Sequence, residues 1–564
     1  MLSDIEISRN AKIKPVKEIA ESLSLDPEND IDLYGRYKSK INKECCAKLA
    51  EKDKNGKLIL VTAINPTKYG EGKTTMSIGL AQALAMLGHK TIATLREPSL
   101  GPVFGVKGGA AGGGYSQVIP MEDINLHFTG DFHAITSANN LLCAAIDNHV
   151  YWGNSLGIDP AKITFSRCMD MNDRALKDIM IGLGSKNGSP RKEGFRITAA
   201  SEIMAIFCLA ETLEELKIML GNITVGYTFD DKPVFARDLK VDGSMCALLK
   251  DAFQPNLVQT LEGGPAILHG GPFANIAHGC SSVIADKVAL KLADYVVTEA
   301  GFGSDLGAEK FLDIKCRKAK YEPDAVVLVA TVRAARHNGA EGKPEEEDSR
   351  SNTEKVINGF KNVLAHYENL KKFHVSPVLV INKFPADTAE ELGMISSLCY
   401  QHNIPFAFST AFADGGKGSL DLAAKIVEIC NAKTGGPDEK NLKYIYDLED
   451  TVREKIKKVA KNIYGANKVN FSEKAEQVLE RIKTLGYDHL PVCMAKTQYS
   501  FSDDPKLLNR PADFDINVKD LVIQTGAGFI IVMTGDVMIM PGLSKVPSAE
   551  IIDVDANGNI MNLS

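Results

Sequence analysis

The sequence has no hydrophobic run long enough to cross a membrane. Its longest apolar stretch, residues 529–543, is interrupted by Asp536, whereas a membrane-spanning helix needs about 20 apolar residues. It also has no block of lysine and arginine, and its net charge is -7, so no basic stripe is available to follow a phosphate backbone. These absences predict a protein that works neither within a membrane nor mainly on nucleic acid.

A cysteine framework is absent as well. Eleven cysteines are scattered without C-x-x-C spacing, and only Cys45 and Cys46 are close together. An odd number without a framework is expected of reduced thiols in the cytosol. Residues 1–6 contain no basic segment followed by an apolar run, so no secretory signal is predicted. We therefore expect a cytoplasmic protein in which most cysteines are small buried hydrophobes.

Strand-like and helix-like segments alternate along the 564 residues, which predicts an α/β protein with mainly parallel sheets and flanking helices. The capping pair Thr388 and Glu391 predicts the start of a helix, and apolar periodicity predicts helices over 356–370 and 448–463. The predicted strands are 58–64, 90–95, 294–298, 325–332, 377–381 and 405–408.

A phosphate-binding loop is predicted between the first of these strands and a helix that stops at Gly88. Its glycines let backbone N–H groups crowd around phosphate oxygens, Lys73 adds a mobile charge and a hydroxyl can bind Mg²⁺. Glycine-lysine loops also occur as ordinary helix caps, but the strand before this one and the helix after it favour nucleotide binding. The residues expected to contact ATP are Thr67, Lys68, Tyr69, Gly70, Glu71, Gly72, Lys73, Thr74 and Thr75.

Glycine is concentrated in a second segment, residues 105–115. So much glycine is costly to order, and it is expected where the backbone passes close to a ligand or another chain. Just before it, Arg96 follows a predicted strand. Ligands bind at the carboxyl ends of parallel strands, so Arg96 is a candidate anion clamp, with a surface salt bridge as the alternative.

Two further segments combine glycine with histidine, and one of them also contains an acid. Asp131 lies beside glycine in residues 126–134 and is a candidate for holding Mg²⁺ or a substrate amine. Lone histidines are more often structural than catalytic, and the spacing of this group does not suit zinc. The histidines concerned are His127, His133, His269 and His278.

An Asn382-Lys383 pair follows the predicted strand 377–381. Such a pair is typical of the guanine-reading loop of GTPases, but Pro385 occupies the position of the acid that would bind guanine. Phe384 at a strand end is instead suited to stacking on a planar ring.

Together these segments resemble the formate–tetrahydrofolate ligase (10-formyltetrahydrofolate synthetase) family in its monofunctional form, over the whole chain to the closing residues 541–547. Residues 105–115 reproduce one family signature letter for letter. The family's phosphate loop also has threonine at the position of Thr67, where the general P-loop has glycine.

A second signature region matches less fully. Residues 329–334 are as expected, but Ala335 and Arg336 stand where the family usually has Leu-Lys, and Ala340 replaces a glycine.

The resemblance implies a P-loop NTPase-like ligase that joins formate to tetrahydrofolate through formyl phosphate, giving 10-formyltetrahydrofolate, ADP and phosphate. It implies that Lys73 neutralises the transferring phosphoryl group and that Arg96 clamps formyl phosphate. Asp131 would lie near the attacking amine. Thr74 is the first choice for binding Mg²⁺ and Thr75 the second.

The resemblance further implies that Phe384 and Phe412 stack on the folate ring system. Bacterial members usually have tryptophan at the second position, so the smaller ring of Phe412 predicts weaker folate binding. Family members are typically homotetramers activated by a monovalent cation, K⁺ or NH₄⁺.

Polar stretches at 337–352 and 431–441 are candidate surface breaks. We expect a P-loop catalytic domain over 1–345, a second α/β domain that contributes folate-binding residues over 346–485, and a small α/β domain over 486–564.

Two other functions fit parts of the sequence. A dimerising P-loop ATPase that gates a partner would hydrolyse ATP without formate. An acyl kinase would stop at the acyl phosphate and would need no folate cleft.

Overall fold

The computed structural model describes residues 2–53, 55–67, 70–105, 109–184, 186–340, 350–432, 442–535, 537 and 539–563. Within them, twelve strands form one large sheet. In chain order these strands are β1 (Ile31–Leu33), β2 (Ser39–Ile41), β3 (Lys57–Ala63), β4 (Thr91–Leu95), β5 (Gly112–Gly113), β6 (Ser116–Ile119), β7 (Asn256–Thr260), β8 (Pro265–Leu268), β9 (Tyr295–Glu299), β10 (Ala325–Ala330), β11 (Pro377–Asn382) and β12 (Phe406–Ser409).

The main path of this sheet runs β1-β2-β7-β8-β4-β9-β3-β10-β11-β12, and β6, paired with β5, joins at β7. Every neighbouring pair from β8 to β12 along this path is parallel. The strands at the other end pair in antiparallel fashion. The prediction of a mainly parallel α/β architecture is therefore confirmed.

Both faces of the sheet are covered. On β3, Leu58 and Leu60 belong to one buried apolar cluster, whereas Ile59 and Val61 belong to another that includes the helix Lys73–Met86. Side chains alternate between faces along a strand, so two covered faces require a continuous apolar run. Nine of the eleven cysteines are buried in the interior, as predicted.

The predicted element ends differ from the observed ones by a few residues, because capping side chains set them. The strand predicted over 325–332 ends at Ala330, since Thr331 accepts a hydrogen bond from the Ala334 N–H and starts a helix. The helix predicted over 448–463 begins only after Thr451, whose hydroxyl caps it. The predicted capping box of Thr388 and Glu391 is confirmed.

Nineteen α-helices occur in the described ranges, and none combines the length and apolar character needed to cross a membrane. They are Asp4–Arg9, Val16–Ser22, Lys43–Ala50, Lys73–Met86, Leu100–Phe104, Met121–Asn125, Asp131–Tyr151, Glu202–Leu209, Leu213–Gly221, Asp242–Leu249, Val283–Leu292, Arg317–Ala319, Val332–Gly339, Asn352–Lys371, Ala389–Gln401, Ala411–Asp414, Leu420–Ala432, Val452–Val459 and Glu473–Thr484. Wider π-helical turns span Ser304–Ala308, Phe311–Cys316 and Ala460–Tyr464.

Smaller sheets of two or three strands lie outside the central sheet. Their strands are Ile158–Ile163, Cys168–Met169, Ile179–Ile181, Arg191–Glu193, Arg196–Ile197, Thr224–Thr228, Pro233–Phe235, Lys468–Phe471, Val492–Ala495, Asp515–Val518, Asp520–Gln524, Phe529–Met533, Asp553–Val554 and Ile560–Met561. Residues 345 and 346, the first predicted domain boundary, lie outside the described residues, and strands from both sides of it join the central sheet.

A buried ion pair crosses the packing between the sheet and its helices. The Lys315 ammonium lies 2.6 Å from the Asp286 carboxylate, and both side chains are fully buried. Asp286 also accepts hydrogen bonds from the hydroxyls of Thr94, at 2.6 Å, and Tyr321, at 2.8 Å. Both charges are therefore removed from water, and each is stabilised mainly by the opposite charge of its partner.

We predict that Lys315→Met lowers the free energy of unfolding by roughly 3–5 kcal/mol, because it leaves the Asp286 carboxylate buried without its counter-charge. Lys192 is a matched control, since its 2.8 Å pair with Asp178 is exposed, and Lys192→Met should change stability by less than about 0.5 kcal/mol. Denaturant midpoints of the three proteins measure this. Equal midpoints for the two variants would contradict the prediction.

Candidate active site

The predicted site residues follow neighbouring strands of the central sheet at the same edge. The phosphate loop follows β3, Arg96 follows β4, and Phe384 and Phe412 follow β11 and β12. These strands are parallel, so their carboxyl ends lie side by side. The architecture therefore gathers residues from four separate parts of the chain along one edge.

The phosphate loop ends in a glycine that caps the helix Lys73–Met86. Gly70 and Gly72 both have φ of +75°, a left-handed conformation that other residues rarely adopt. A side chain at Gly72 would also collide with the amide of Asn382. Thr75 is buried in the first turn of the helix, whereas Lys68 and Tyr69 lie outside the described residues.

The buried side chain of Glu71 holds this loop in place through hydrogen bonds. One carboxylate oxygen accepts the Thr67 N–H at 2.8 Å, and the other accepts the hydroxyl of Thr331. The Asn382 amide donates to the Glu71 carbonyl at 3.2 Å. The ends of β10 and β11 thus hold the loop, and the buried Glu71 side chain is occupied by loop contacts.

Thr74 and Arg96 meet at a carboxylate. The Thr74 hydroxyl donates to Glu299 Oε2 at 2.9 Å, and Arg96 Nη2 lies 3.8 Å from Glu299 Oε1. Glu299 is the last residue of β9, and only 2% of it is exposed. Arg96 also donates to the carbonyl of Pro272 at 3.3 Å. The structure therefore brings together two of the predicted residues that come from different loops.

Positive charge accumulates at this point. Burial lowers the pKa of the Lys73 ammonium, while the carboxylates of Glu299 and Glu71 partly offset that effect. The buried Nε of Arg96 has no hydrogen-bond partner among the described residues. Donors that are fixed in place and unsatisfied by the protein are suited to an oxyanion.

Asp131 occupies an adjoining buried cluster. Its oxygens lie 2.9 and 3.0 Å from the Lys40 ammonium, and the Asn256 amide donates to it at 2.8 Å. Glu97, next to Arg96, accepts the Gly270 N–H at 2.8 Å. Burial and the neighbouring Asp131 raise the pKa of Glu97 well above its ordinary value. Asp131 and Glu97 therefore lie in one buried polar cluster, in which the Asn256 amide donates to both.

Phe384 lies against the phosphate loop. The Arg333 guanidinium carbon is 5.2 Å from the centre of the Phe384 ring, and Arg333 Nη2 donates to the Gly70 carbonyl at 3.0 Å. The ring is only partly buried. A planar ligand could therefore stack on it beside the loop.

Close contacts with Phe412 account for the glycines at two positions of the segment 105–115. The Tyr115 N–H donates to the Phe412 carbonyl at 2.8 Å, and a Cβ atom at Gly114 would overlap that carbonyl. A Cβ atom at Gly113 would lie 3.1 Å from the Phe412 ring. At these positions glycine permits a close approach to another part of the same chain; residues 106–108 lie outside the described residues.

The family model for formate–tetrahydrofolate ligase matches residues 2–564. The chain belongs to this family. Formate–tetrahydrofolate ligase is a C–N bond-forming enzyme that uses ATP. In the described part of the chain, no group of three or more His, Cys, Asp or Glu side chains could hold a metal ion.

A Mg²⁺ ion that rests largely on substrate phosphates needs only one or two protein oxygens. The oxygen donors of Thr74 and Glu299 fit such an ion. The ligase therefore does not require a dedicated metal cage at this site.

Sequence reasoning missed Glu299 and Lys40. Glu299 carried a usable signal, because it directly follows the β-branched residues Val296–Thr298, and the predicted strand stopped one residue short of it. Lys40 carried none, since its partner Asp131 is 91 residues away. A buried lysine in a short strand cannot be distinguished from an exposed one by pattern alone.

The four histidines divide into two pairs. His127 and His133 are exposed. His269 is buried between the Ser282 hydroxyl, at 2.6 Å, and the Ala252 carbonyl, at 3.0 Å, and burial lowers its pKa to about 4. Burial likewise holds the pKa of His278 well below its ordinary value. The structural interpretation suits His269, whose ring nitrogens are both bonded.

The entrance to the phosphate loop is fixed by a buried polar network. The Asn65 N–H donates to His366 Nε2 at 2.9 Å, and the Asn65 amide contacts Asp305 at 3.2 Å and the Gln498 carbonyl at 3.3 Å. Lys496 pairs with Asp305 at 2.7 Å. Residues from distant parts of the ligase therefore meet directly after β3.

We predict an acid-sensitive contribution of His366 to stability. Burial lowers its pKa to about 4 from an ordinary value of 6.5, and the neutral ring accepts the Asn65 N–H. The unfolded chain binds the extra proton first, so this stabilisation is complete above pH 6.5 and is lost as the pH falls towards 4.

His366→Gln should flatten the dependence of unfolding free energy on pH between 6.5 and 4, whereas His133→Gln, at an exposed position, should leave it unchanged. Denaturant unfolding at several pH values measures the slopes. Parallel slopes for the parent protein and His366→Gln would contradict the assignment.

Proposed function

We propose that this ligase joins formate to N10 of tetrahydrofolate through formyl phosphate, and that it releases ADP and phosphate. The observation that carries the proposal is the meeting of Lys73, Thr74 and Arg96 around Glu299 at one edge of a parallel sheet. Carboxylates do not acylate amines in water, so formate must first be activated.

In the first step, a formate oxygen attacks the γ-phosphorus of ATP, the bond from that phosphorus to the β–γ bridging oxygen breaks, and ADP leaves. The loop amides and the Lys73 ammonium neutralise the charge that spreads over the transferring group. Bound Mg²⁺, held through Thr74, would neutralise the β- and γ-phosphate oxygens.

Arg96 then holds formyl phosphate. A guanidinium binds the doubly anionic phosphate end through two parallel hydrogen bonds, and the unsatisfied Nε of Arg96 supports this role. N10 attacks the formyl carbon, the bond from carbon to the phosphate oxygen breaks, and the amine proton leaves.

We assign Asp131 to orienting N10 or accepting its proton. Lys40 and Asn256 hold the Asp131 side chain in a fixed orientation, and its oxygens can accept a further hydrogen bond. Phe384 and Phe412 are assigned to the folate ring system.

Several broader features belong to the same proposal. They are a P-loop NTPase-like catalytic unit over 1–345, folate-binding and C-terminal units over 346–485 and 486–564, a homotetramer, activation by K⁺ or NH₄⁺, and a cytoplasmic location. The family membership supports them, and each awaits its own measurement.

We predict that ADP is released from MgATP at the full rate only when formate and tetrahydrofolate are both present. The assay measures ADP with neither substrate, with each alone and with both. An acyl kinase would release ADP with formate alone, and a gating ATPase would do so with neither. Equal rates in all four mixtures would rule out the proposed function.

Lys73→Ala and Arg96→Ala should each lower product formation by roughly 10²–10³-fold, because each removes a charge aimed at the reacting phosphoryl or acyl phosphate. Lys250→Ala, at an exposed position, is the control and should retain activity. Full activity of Arg96→Ala would remove this residue from the mechanism.

Phe412→Trp should strengthen folate binding. A larger ring adds stacking worth roughly 1 kcal/mol, or about fivefold in KM for tetrahydrofolate. The KM values of the parent protein and the variant are compared at saturating formate and MgATP. An unchanged or higher KM would argue against stacking at this position.

A further inference from the structure

Glu299 lies between Thr74, which is assigned to the nucleotide, and Arg96, which is assigned to the acyl phosphate. Its strand, β9, pairs with β3 on one side and with β4 on the other. The loop after β3 carries Thr74, and the segment after β4 carries Arg96. One carboxylate therefore lies between the phosphate loop and the anion clamp.

On the loop side, Glu299 fixes the direction of the Thr74 hydroxyl. The hydroxyl donates its only hydrogen to Glu299 Oε2 at 2.9 Å. A hydroxyl has one hydrogen and two lone pairs, so this bond leaves both lone pairs of Thr74 free to face a cation.

On the clamp side, the other oxygen of Glu299 attracts Arg96 at 3.8 Å. Glu299 also raises the pKa of Lys73 against the effect of burial. Only 2% of Glu299 is exposed, so solvent and salt screen these attractions weakly. A single negative charge thus serves three groups that the reaction uses.

The other buried carboxylates near the loop are committed to different contacts. Both oxygens of Glu71 accept hydrogen bonds, from the Thr67 N–H and the Thr331 hydroxyl. Asp131 is paired with Lys40, and Glu97 accepts the Gly270 N–H. Glu299 is the carboxylate in the described part of this edge that contacts both Thr74 and Arg96.

We propose that Glu299 is a positioning residue that couples metal binding to oxyanion binding. Without metal, its charge pairs with Arg96 and competes with any oxyanion for that guanidinium. When Mg²⁺ binds with the nucleotide at Thr74, it would also be attracted to the Glu299 carboxylate. The attraction between Glu299 and Arg96 would then weaken, so that Arg96 becomes available to formate or phosphate. The inference rests on the proposed function, because it assumes nucleotide at the loop and an acyl or phosphate anion at Arg96.

The proposal predicts opposite effects for Glu299→Gln in two binding titrations. In the first, ADP binding is measured by calorimetry with Mg²⁺ and with EDTA. Mg²⁺ should strengthen ADP binding by roughly tenfold in the parent protein and have little effect in Glu299→Gln, since the metal loses a charge-assisted contact.

In the second titration, inorganic phosphate is added to the ADP-loaded protein in EDTA, so that the loop is already filled. Glu299→Gln should bind phosphate roughly tenfold more tightly than the parent protein, because the competing carboxylate is gone. A merely structural role for Glu299 would weaken both ligands. That result, or two titrations identical to those of the parent protein, would overturn the proposal.

Thr74→Val tests the same coupling without touching Glu299. It should lose the Mg²⁺ enhancement of ADP binding, whereas Thr353→Val, which removes a hydroxyl that donates to Glu390 at 2.9 Å, should keep it. Retention of the full enhancement in Thr74→Val would overturn the proposal even if Glu299→Gln does not fold. Absence of ADP binding in the parent protein would instead refute the proposed function, and the coupling with it.

Discussion

Parallel pairing of β9 with β3 and with β4 is the constraint on which the rest of the site depends. It places the ends of three strands next to one another, so a hydroxyl, a carboxylate and a guanidinium from distant parts of the chain meet within hydrogen-bonding or ion-pairing range. Glycine in the loop and buried polar contacts from β10 and β11 then fix the backbone around them. The order of the strands, more than any single motif, brings these three side chains together.

Local features of the sequence were sufficient to predict the strand β3, the helix Lys73–Met86 after it and the position of Arg96 at the end of a strand. Each depends on residues within one strand–loop–helix segment, where apolar runs, glycines and caps act at short range. The helix boundary at Thr451 was missed because the apolar periodicity continued backwards to Leu448, while the capping side chain decided the start.

Contacts between distant residues could not be predicted in the same way. Lys40 and Asp131 form an ion pair across 91 positions, and nothing in either segment specifies the other. Charges buried in pairs, such as Lys315 with Asp286, become recognisable only when the packing removes water from both. The family resemblance indicated roles for Lys73, Arg96 and Asp131, but it did not identify the groups that hold them in place.

The polar network at Asn65 can be completed only late in the synthesis of the chain. This residue directly follows one of the earliest strands to leave the ribosome, yet its amide is completed by the Gln498 carbonyl and by the Asp305–Lys496 pair. The loop entrance can reach its final form only after more than four hundred further residues have been translated. Nascent chains cut short before that point would carry the whole glycine-lysine loop and still lack its support.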